Sequence, residues 1–240
     1  MPGQFPRVAA ALFGLGLVLT TVACGGGSGQ AHLRVLLASP TVSGVDVYVD
    51  DKSVFTSLAY GANTGYITVI SGTRHLQILP AGSTSNPIVD ESVTSTSSGE
   101  ATVVVEGLSP NVSGLVLTDD DTAPAADTAM LRLVNAAPNM GTADVYVVAA
   151  GSSLISGQPT VPELAYGAVS SYQTLTIPTT STTQVFSVFF TKPGTTQAVL
   201  ATGPITFSSG QIRTVVALND LNGGFTFVTL ADLDLSLIHI

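Results

Sequence analysis

Few side chains in this sequence can do acid–base, nucleophilic or metal chemistry. There are three histidines, His32, His75 and His239, and a single cysteine, Cys24. No histidine stands at ligand spacing from another histidine or from a cysteine able to coordinate metal, so no metal site is predicted. The sequence has no Gly-x-Ser-x-Gly motif, and a Ser-His-Asp triad would have to recruit one of these histidines. A hydrolytic enzyme is therefore the least favoured function, and we assign no catalytic residue and no cofactor.

The carboxylates offer two further possibilities. Asp46 and Asp50 share one face of a predicted strand, but strand rise separates them by roughly 13 Å, too far for the paired carboxylates of a glycosidase. The triplet Asp119 to Asp121 has the oxygen ligands that Ca²⁺ prefers. It lacks the alternating ligands and the turn glycine of an EF-hand loop. We interpret it as the start of an exposed connector that runs to Thr128.

Three pairs of tyrosines recur along the chain, Tyr48 with Tyr146, Tyr60 with Tyr166 and Tyr66 with Tyr172. On strands, such rings can stack on sugars or peptides, or they can anchor a corner through a hydroxyl-to-backbone hydrogen bond. We favour the structural role, because Tyr60 and Tyr166 each precede a glycine at a strand end. Tyr146 and Tyr166 remain the candidates for a ligand-binding site.

Cys24 has the clearest chemical role in the sequence. After Arg7, an uncharged apolar run of about 16 residues extends to Ala23, shorter than the roughly 20 residues of a transmembrane helix and typical of a signal peptide. Thr21 to Cys24 resembles the lipobox of bacterial lipoproteins. The resemblance implies cleavage before Cys24, lipid on its thiol, and a membrane anchor in the outer membrane, periplasm or cell surface. An ordinary secreted protein with a cysteine in its leader is the alternative.

Composition limits the partners and the source of stability. The formal net charge is −9 and only 10% of residues are charged. An acidic chain without a basic stripe repels phosphates, so nucleic acid is excluded as a partner. One cysteine cannot form an intramolecular disulfide, so the fold must depend on the burial of apolar side chains.

An internal repeat divides the chain. Several segments return in the same order at an offset of 98 residues, which rises to 106 for the last of them, and the pairs are Leu33–Val35 with Leu131–Leu133, Ala38–Pro40 with Ala136–Pro138, Asp46–Val49 with Asp144–Val147, and Leu58–Gly61 with Leu164–Gly167. The change of offset indicates an insertion in the second copy around Ala150 to Pro162. A period near 100 residues is typical of a duplicated domain.

Both copies have the pattern of short β-strands. Val45, Val47 and Val49 alternate with polar residues, which predicts a half-buried strand. Similar runs are predicted as strands at Leu33–Ala38, Gly65–Ile70, Arg74–Leu79, Ile88–Val93, Ala101–Glu106 and Leu115–Thr118, and then at Leu131–Ala136, Ala143–Val148, Tyr172–Ile177, Gln184–Phe190, Ala198–Ile205, Ile212–Leu218 and Phe225–Leu230. This predicts an all-β protein with two tandem immunoglobulin-like β-sandwich domains after the signal peptide, with small barrels as the alternative.

The repeated pattern Leu-Arg-Val, Ala-Ser-Pro, Val-Asp-Val-Tyr-Val-Asp and Leu-Ala-Tyr-Gly resembles the bacterial domain-of-unknown-function 4397 family, over Leu33–Thr118 and again over Leu131–Asp234. The resemblance implies an exported protein with tandem copies of this domain, and it brings no catalytic residues. The predicted organisation is a signal peptide at 1–23, a Gly-rich tether at 24–31, β-sandwich repeat 1 at 32–120, a linker at 121–129 and β-sandwich repeat 2 at 130–234.

The last residues, Leu235–Ile240, have no counterpart in the first copy. They match the translation of a transposon end used in sequencing libraries, CTG TCT CTT ATA CAC ATC. We expect them to be a sequencing-adapter artefact, with a natural final strand as the alternative.

Two functional hypotheses remain besides the enzyme. The first is a non-enzymatic, lipid-anchored cell-envelope protein for structure, adhesion or extracellular interaction, with an unknown glycan or protein partner. The second is a carbohydrate- or small-ligand-binding surface lipoprotein that uses the tyrosines or the inserted loop.

Overall fold

The structure is a computed structural model that describes residues 29–150, 152 and 157–233. The regular elements within these described residues are sixteen β-strands. The first eight are β1 (Gln30–Leu37), β2 (Gly44–Val49), β3 (Lys52–Ala59), β4 (Ile67–Ile70), β5 (Gly72–Pro80), β6 (Val89–Ser95), β7 (Glu100–Leu108) and β8 (Asn111–Asp119). The second eight are β9 (Thr128–Asn135), β10 (Ala143–Ala149), β11 (Val161–Leu164), β12 (Gln173–Thr176), β13 (Thr183–Thr191), β14 (Ala198–Ser208), β15 (Ile212–Asn219) and β16 (Phe225–Leu233).

The strands form four sheets of four strands each. The first sandwich has an inner sheet in the order β4-β1-β7-β8 and an outer sheet in the order β3-β2-β5-β6. The second sandwich repeats both orders, as β12-β9-β15-β16 and β11-β10-β13-β14. In each inner sheet the central pair is parallel, β1 with β7 and β9 with β15, while the other strand pairs are antiparallel. The prediction of an all-β protein with two tandem β-sandwich domains is confirmed.

The sequence prediction missed two strands, β3 and β11. They occupy equivalent places, because each is the edge strand of an outer sheet, paired with β2 or β10. Five of the eight residues of β3 and two of the four residues of β11 are exposed, and neither strand shows the alternation that marks a half-buried strand.

The four sheets stack as four layers, with the two inner sheets in contact. On β1, Leu33 and Val35 point into the core of the first sandwich, whereas Leu36 points into a separate cluster shared with the second sandwich. This third cluster joins Val104 of β7 to Val216 of β15. Both faces of each inner sheet are therefore buried, which explains why its central strands are almost continuously apolar.

An aspartate of the repeated Asp-Val-Tyr-Val segment fixes each outer sheet. Asp46 accepts backbone N–H bonds at 2.8 Å from Ser57 in β3 and from Gly82. Asp144 accepts the matching bonds from Glu163 in β11, at 2.9 Å, and from Gly194, at 2.8 Å.

These hydrogen bonds stabilise an unusual backbone conformation in β3 and β11. Ser57 and Glu163 have φ values of 56° and 51°, rare for residues other than glycine, and the β2–β3 and β10–β11 registers shift near these aspartates. The Ser57 and Gly82 N–H groups lower the pKa of Asp46. The alternating pattern predicts Asp46 on a polar face, but the residue is 6% exposed, because the edge strand and the turn cover it.

We predict that Asp144→Ala destabilises the protein by about 2–4 kcal/mol, since two N–H donors lose a charged acceptor. Urea unfolding followed by circular dichroism measures the change. Asp144→Asn keeps one side-chain oxygen acceptor and should lose less. Equal stability of wild type and Asp144→Ala would contradict the role given to this side chain.

Candidate functional site

Several residues singled out in the sequence lie outside the described part of the chain. These are Cys24 with the whole signal peptide, His239, the segment 235–240, and residues 151 and 153–156 of the inserted loop. Within residues 29–150, 152 and 157–233, no helix is long and apolar enough to cross a membrane. The same residues contain no group of three or more His, Cys, Asp or Glu side chains able to hold a metal ion.

The two described histidines each lie beside a carboxylate. His32 Nδ1 is 3.6 Å from a Glu100 oxygen. His75 Nε2 is 2.5 Å from Asp90 Oδ1, and Ser92 is the cross-strand partner of His75. The sequence alone indicates neither pair. The His75 and Asp90 side chains are 43% and 51% exposed on an open sheet face, whereas the carboxylate of a Ser-His-Asp triad is buried.

The tyrosines take different places. Tyr146 is 7% exposed, and its cross-strand partner is Phe189. Tyr166 is 38% exposed, and its hydroxyl donates to the carboxylate of Glu106 in the other sandwich. Tyr60 donates its hydroxyl to the backbone carbonyl of Asn219, also in the other sandwich. Tyr60 thus makes the predicted hydroxyl-to-backbone bond, but it joins the two sandwiches instead of bracing a corner within one.

The most extensive buried polar cluster lies between the inner sheets, and it is reciprocal. Arg34 of the first sandwich donates through Nη1 to the Ala231 carbonyl at 2.8 Å and through Nη2 to Asp232 Oδ1 at 2.5 Å. Arg132 of the second sandwich donates through Nη1 to the Thr118 carbonyl at 2.8 Å and through Nη2 to Asp119 Oδ1. Each arginine therefore binds the end of the last strand of the other sandwich. We call these side chains, with the threonines and tyrosines below, the reciprocal network.

Hydroxyl groups complete the reciprocal network. Thr102 and Tyr66 both donate to Asp119 Oδ2, at 2.5 and 2.8 Å. Thr214 and Tyr172 donate to Asp232 Oδ2, at 2.5 and 2.9 Å.

Each arginine is also held within its own sandwich. Arg34 Nε donates to Thr102 and Arg132 Nε donates to Thr214, both at 2.9 Å. The guanidinium carbons lie 4.4 and 4.8 Å from the ring centres of Tyr66 and Tyr172. Every charge in the network has partners, as burial requires.

Burial and charge both shift pKa values in the network. Burial raises the pKa of Tyr66 and Tyr172, and the neighbouring carboxylates raise it further. For Arg132, burial lowers the pKa, but Asp232 and Asp119 outweigh it and the net pKa is raised. The tyrosines therefore stay neutral donors and Arg132 stays charged.

The exposed connector predicted from Asp119 to Thr128 is wrong at its first residue. Asp119 is the last residue of β8, and its side chain is fully buried by Arg132, Thr102 and Tyr66. An acidic triplet, considered by itself, predicts a segment exposed to solvent. The recurrence of Arg34, Tyr66 and an aspartate at matching places in the second copy was the signal that these groups meet.

The first strands of the two inner sheets, β1 and β9, run in the same direction. Arg34 and Arg132, near the starts of β1 and β9, meet in the reciprocal network. Tyr60 and Tyr166 make their contacts at the opposite end, where β15 and β7 finish. The starts of β1 and β9 therefore lie at one end of the molecule, which we call the amino-terminal end.

The buried carboxylate of Glu106 has no carboxylate at the equivalent position of the second sandwich. Glu106 faces the interface, is 5% exposed, and its Oε2 has no hydrogen-bond partner among the described residues. The register of β7 and β15 places Leu218 at the equivalent position in the second sandwich. Burial raises the pKa of Glu106 to about 7, although the Tyr166 hydrogen bond opposes the shift.

A cleft of about 500 Å³ opens at the amino-terminal end of the second sandwich, between its inner and outer sheets. We call it the Phe186 cleft. It is lined by Val147, Ala149, Thr160, Gln173, Thr174, Leu175, Thr176, Pro178, Gln184 and Phe186. A second cleft, of about 480 Å³, lies at the other end of the first sandwich, among Thr41, Pro80, Pro87 and Pro110.

Comparison with known proteins finds a family for the first half of the chain. Residues 31–146 match the family described as "Domain of unknown function (DUF4397)". The match includes all of β2 to β9 and ends inside β10. It is a single match, so the second copy expected from the repeat stays a prediction. No curated protein matches the chain.

Nine chains of known structure match. One comes from work on alpha-glucan recognition by family 41 carbohydrate-binding modules from streptococcal virulence factors. It is 11% identical, the alignment covers 78% of this chain and 93% of that chain, and the TM-score is 0.27. A TM-score this low supports no statement about a shared fold or ligand.

We predict that Arg34→Met costs about 3–5 kcal/mol, because it leaves Asp232 buried without its closest cation. Arg132→Met should cost a similar amount, as the reciprocal geometry requires. Arg74→Met removes a partly exposed pair with Asp50 and should cost at most about 1 kcal/mol. Urea unfolding of the three variants tests the ranking, and equal losses in all three would contradict it.

Glu106 gives a prediction about pH. Its folded pKa lies above the unfolded value, so the folded state loses stability as pH rises from about 4.5 through about 7. Between pH 5 and pH 8 the loss due to this group is about 1–3 kcal/mol. Glu106→Gln should remove this loss, and Glu106→Leu, which copies Leu218, should stabilise the protein at pH 8. The same pH dependence of unfolding in wild type and Glu106→Gln would show that the group does not titrate as described.

Proposed function

We propose that the chain is a non-enzymatic, lipid-anchored protein of the bacterial cell envelope, in which two sandwiches act together as one interaction or structural module. The observation that carries the proposal is the reciprocal network. The sandwiches share buried ion pairs and an apolar cluster, and such an interface favours a single rigid unit over two modules on a flexible link.

The chemistry of the buried polar groups supports a structural role for them. Both arginines of the network donate through Nε and through both terminal nitrogens to protein groups. The two aspartates accept from arginine, threonine and tyrosine. These residues are thus engaged with one another, and the outer sheets, the loops and the clefts are left to meet a partner.

The position of Cys24 supports the anchor. Only residues 25–29 separate it from Gln30, the first residue of β1, and an extended chain of that length spans no more than about 20 Å. A lipid on Cys24 would therefore hold the amino-terminal end of the module close to the membrane surface, with the opposite loops pointing away.

We expect the full-length chain, expressed in a bacterial host with radiolabelled palmitate, to incorporate label, because lipid is attached at Cys24. Cys24→Ser should lose the label while immunoblotting shows the protein still present. Label retained in Cys24→Ser, or absent from the wild type, would refute the anchor.

A further inference from the structure

The two sandwiches differ at their amino-terminal ends. The pairing of β5 with β2 and of β13 with β10 places Arg74 and Phe186 at equivalent positions. In the first sandwich, Arg74 donates to Asp50 at 3.1 Å and to the Ser71 carbonyl at 3.3 Å, so a charged pair lies across this end. In the second sandwich, Phe186 replaces the arginine, Val148 stands in the place of Asp50, and the Phe186 cleft is present.

The lining of the Phe186 cleft is uncharged and divided into two kinds of surface. Leu175 and Phe186 are 5% and 7% exposed and belong to the apolar core, so they form an apolar floor. Gln173, Gln184 and Thr160 supply amide and hydroxyl groups around it. Amides and hydroxyls both donate and accept hydrogen bonds.

We propose that the Phe186 cleft binds a neutral carbohydrate segment. A pyranose ring has an apolar face of C–H groups and a rim of hydroxyls that need both donors and acceptors. The cleft presents the complementary arrangement, and a volume of about 500 Å³ admits more than one ring. The inference deepens the proposed function and rests on it, because it names the ligand class of the proposed module.

The charge of the molecule favours a neutral ligand over an anionic one. The chain carries a formal net charge of −9, and none of the described residues that line the cleft is a cation, so an acidic glycan would be repelled. The polar rim argues against an alkyl chain. The amide nitrogens of Gln173 and Gln184 already donate to Ser171 and to the Val185 carbonyl, but an alkyl chain would take water away from their side-chain oxygens and offer them no donor. The neutral glycan is the occupant that satisfies both constraints.

The cleft also lies at the end of the molecule from which β1 starts, since Thr176 at one side of it pairs with Thr128 at the start of β9. With the proposed anchor on Cys24, the cleft faces the space next to the membrane. The ligand is then a glycan of the envelope layer that surrounds the anchor.

The full-length chain, solubilised in a detergent without a sugar headgroup, should be applied to an array of neutral and acidic glycans. Isothermal titration calorimetry with the strongest neutral oligosaccharide then measures affinity. Gln184→Arg places a larger, charged side chain in the cleft, which takes up part of its volume, and should weaken binding by about tenfold or more. Gln77→Arg, on the outer sheet of the first sandwich, is the matched control and should leave affinity unchanged, with unfolding curves confirming that both variants fold.

Gln173→Leu separates sugar from alkyl binding. It keeps the side-chain size and removes an amide, so it should weaken sugar binding and leave decanol, an uncharged alkyl probe, without affinity. Binding of no neutral glycan, equal sugar binding by Gln184→Arg, or decanol binding enhanced in Gln173→Leu would each overturn the proposal. Palmitate incorporation at Cys24 is independent of these results, so failure of the ligand and failure of the anchor are distinguishable.

Discussion

The structure depends on buried arginine–aspartate ion pairs between the two sandwiches. Each inner sheet buries an arginine, Arg34 or Arg132, on the face opposite its own sandwich core. The carboxylate closest to each arginine comes from the other sandwich, because Asp232 meets Arg34 and Asp119 meets Arg132. A buried guanidinium without a carboxylate is costly. Each sandwich therefore supplies what the other needs to bury its inner sheet.

Alternating patterns predicted most of the fold, since half-buried strands alternate. β3 and β11 were missed because their pairing with β2 and β10 is irregular, with register shifts, and because the bonds to Asp46 or Asp144 hold them in place. Asp119 was misassigned because its environment is made by Arg132, a residue of the other copy. Local patterns carry no information about contacts of that kind, although the matched recurrence of Arg, Tyr and Asp in both copies indicates them.

The candidate site was less predictable than the fold. The sequence directed attention to Tyr146 and Tyr166, yet the first is buried and the second joins the sandwiches. The Phe186 cleft becomes visible only when Phe186 is compared with Arg74, and that comparison needs the strand register. The inserted loop changes the offset between the copies, so sequence alignment alone does not place these two residues together.

The reciprocal network also limits how many such domains one chain can use. An inner sheet has a single face outside its own core, and in this molecule each of those faces is occupied by the other. A third domain joined after Leu233 would find no matching face and would have to keep its arginine beside water. Longer arrays built on this pattern would therefore assemble as closed pairs, with an odd domain left unmatched.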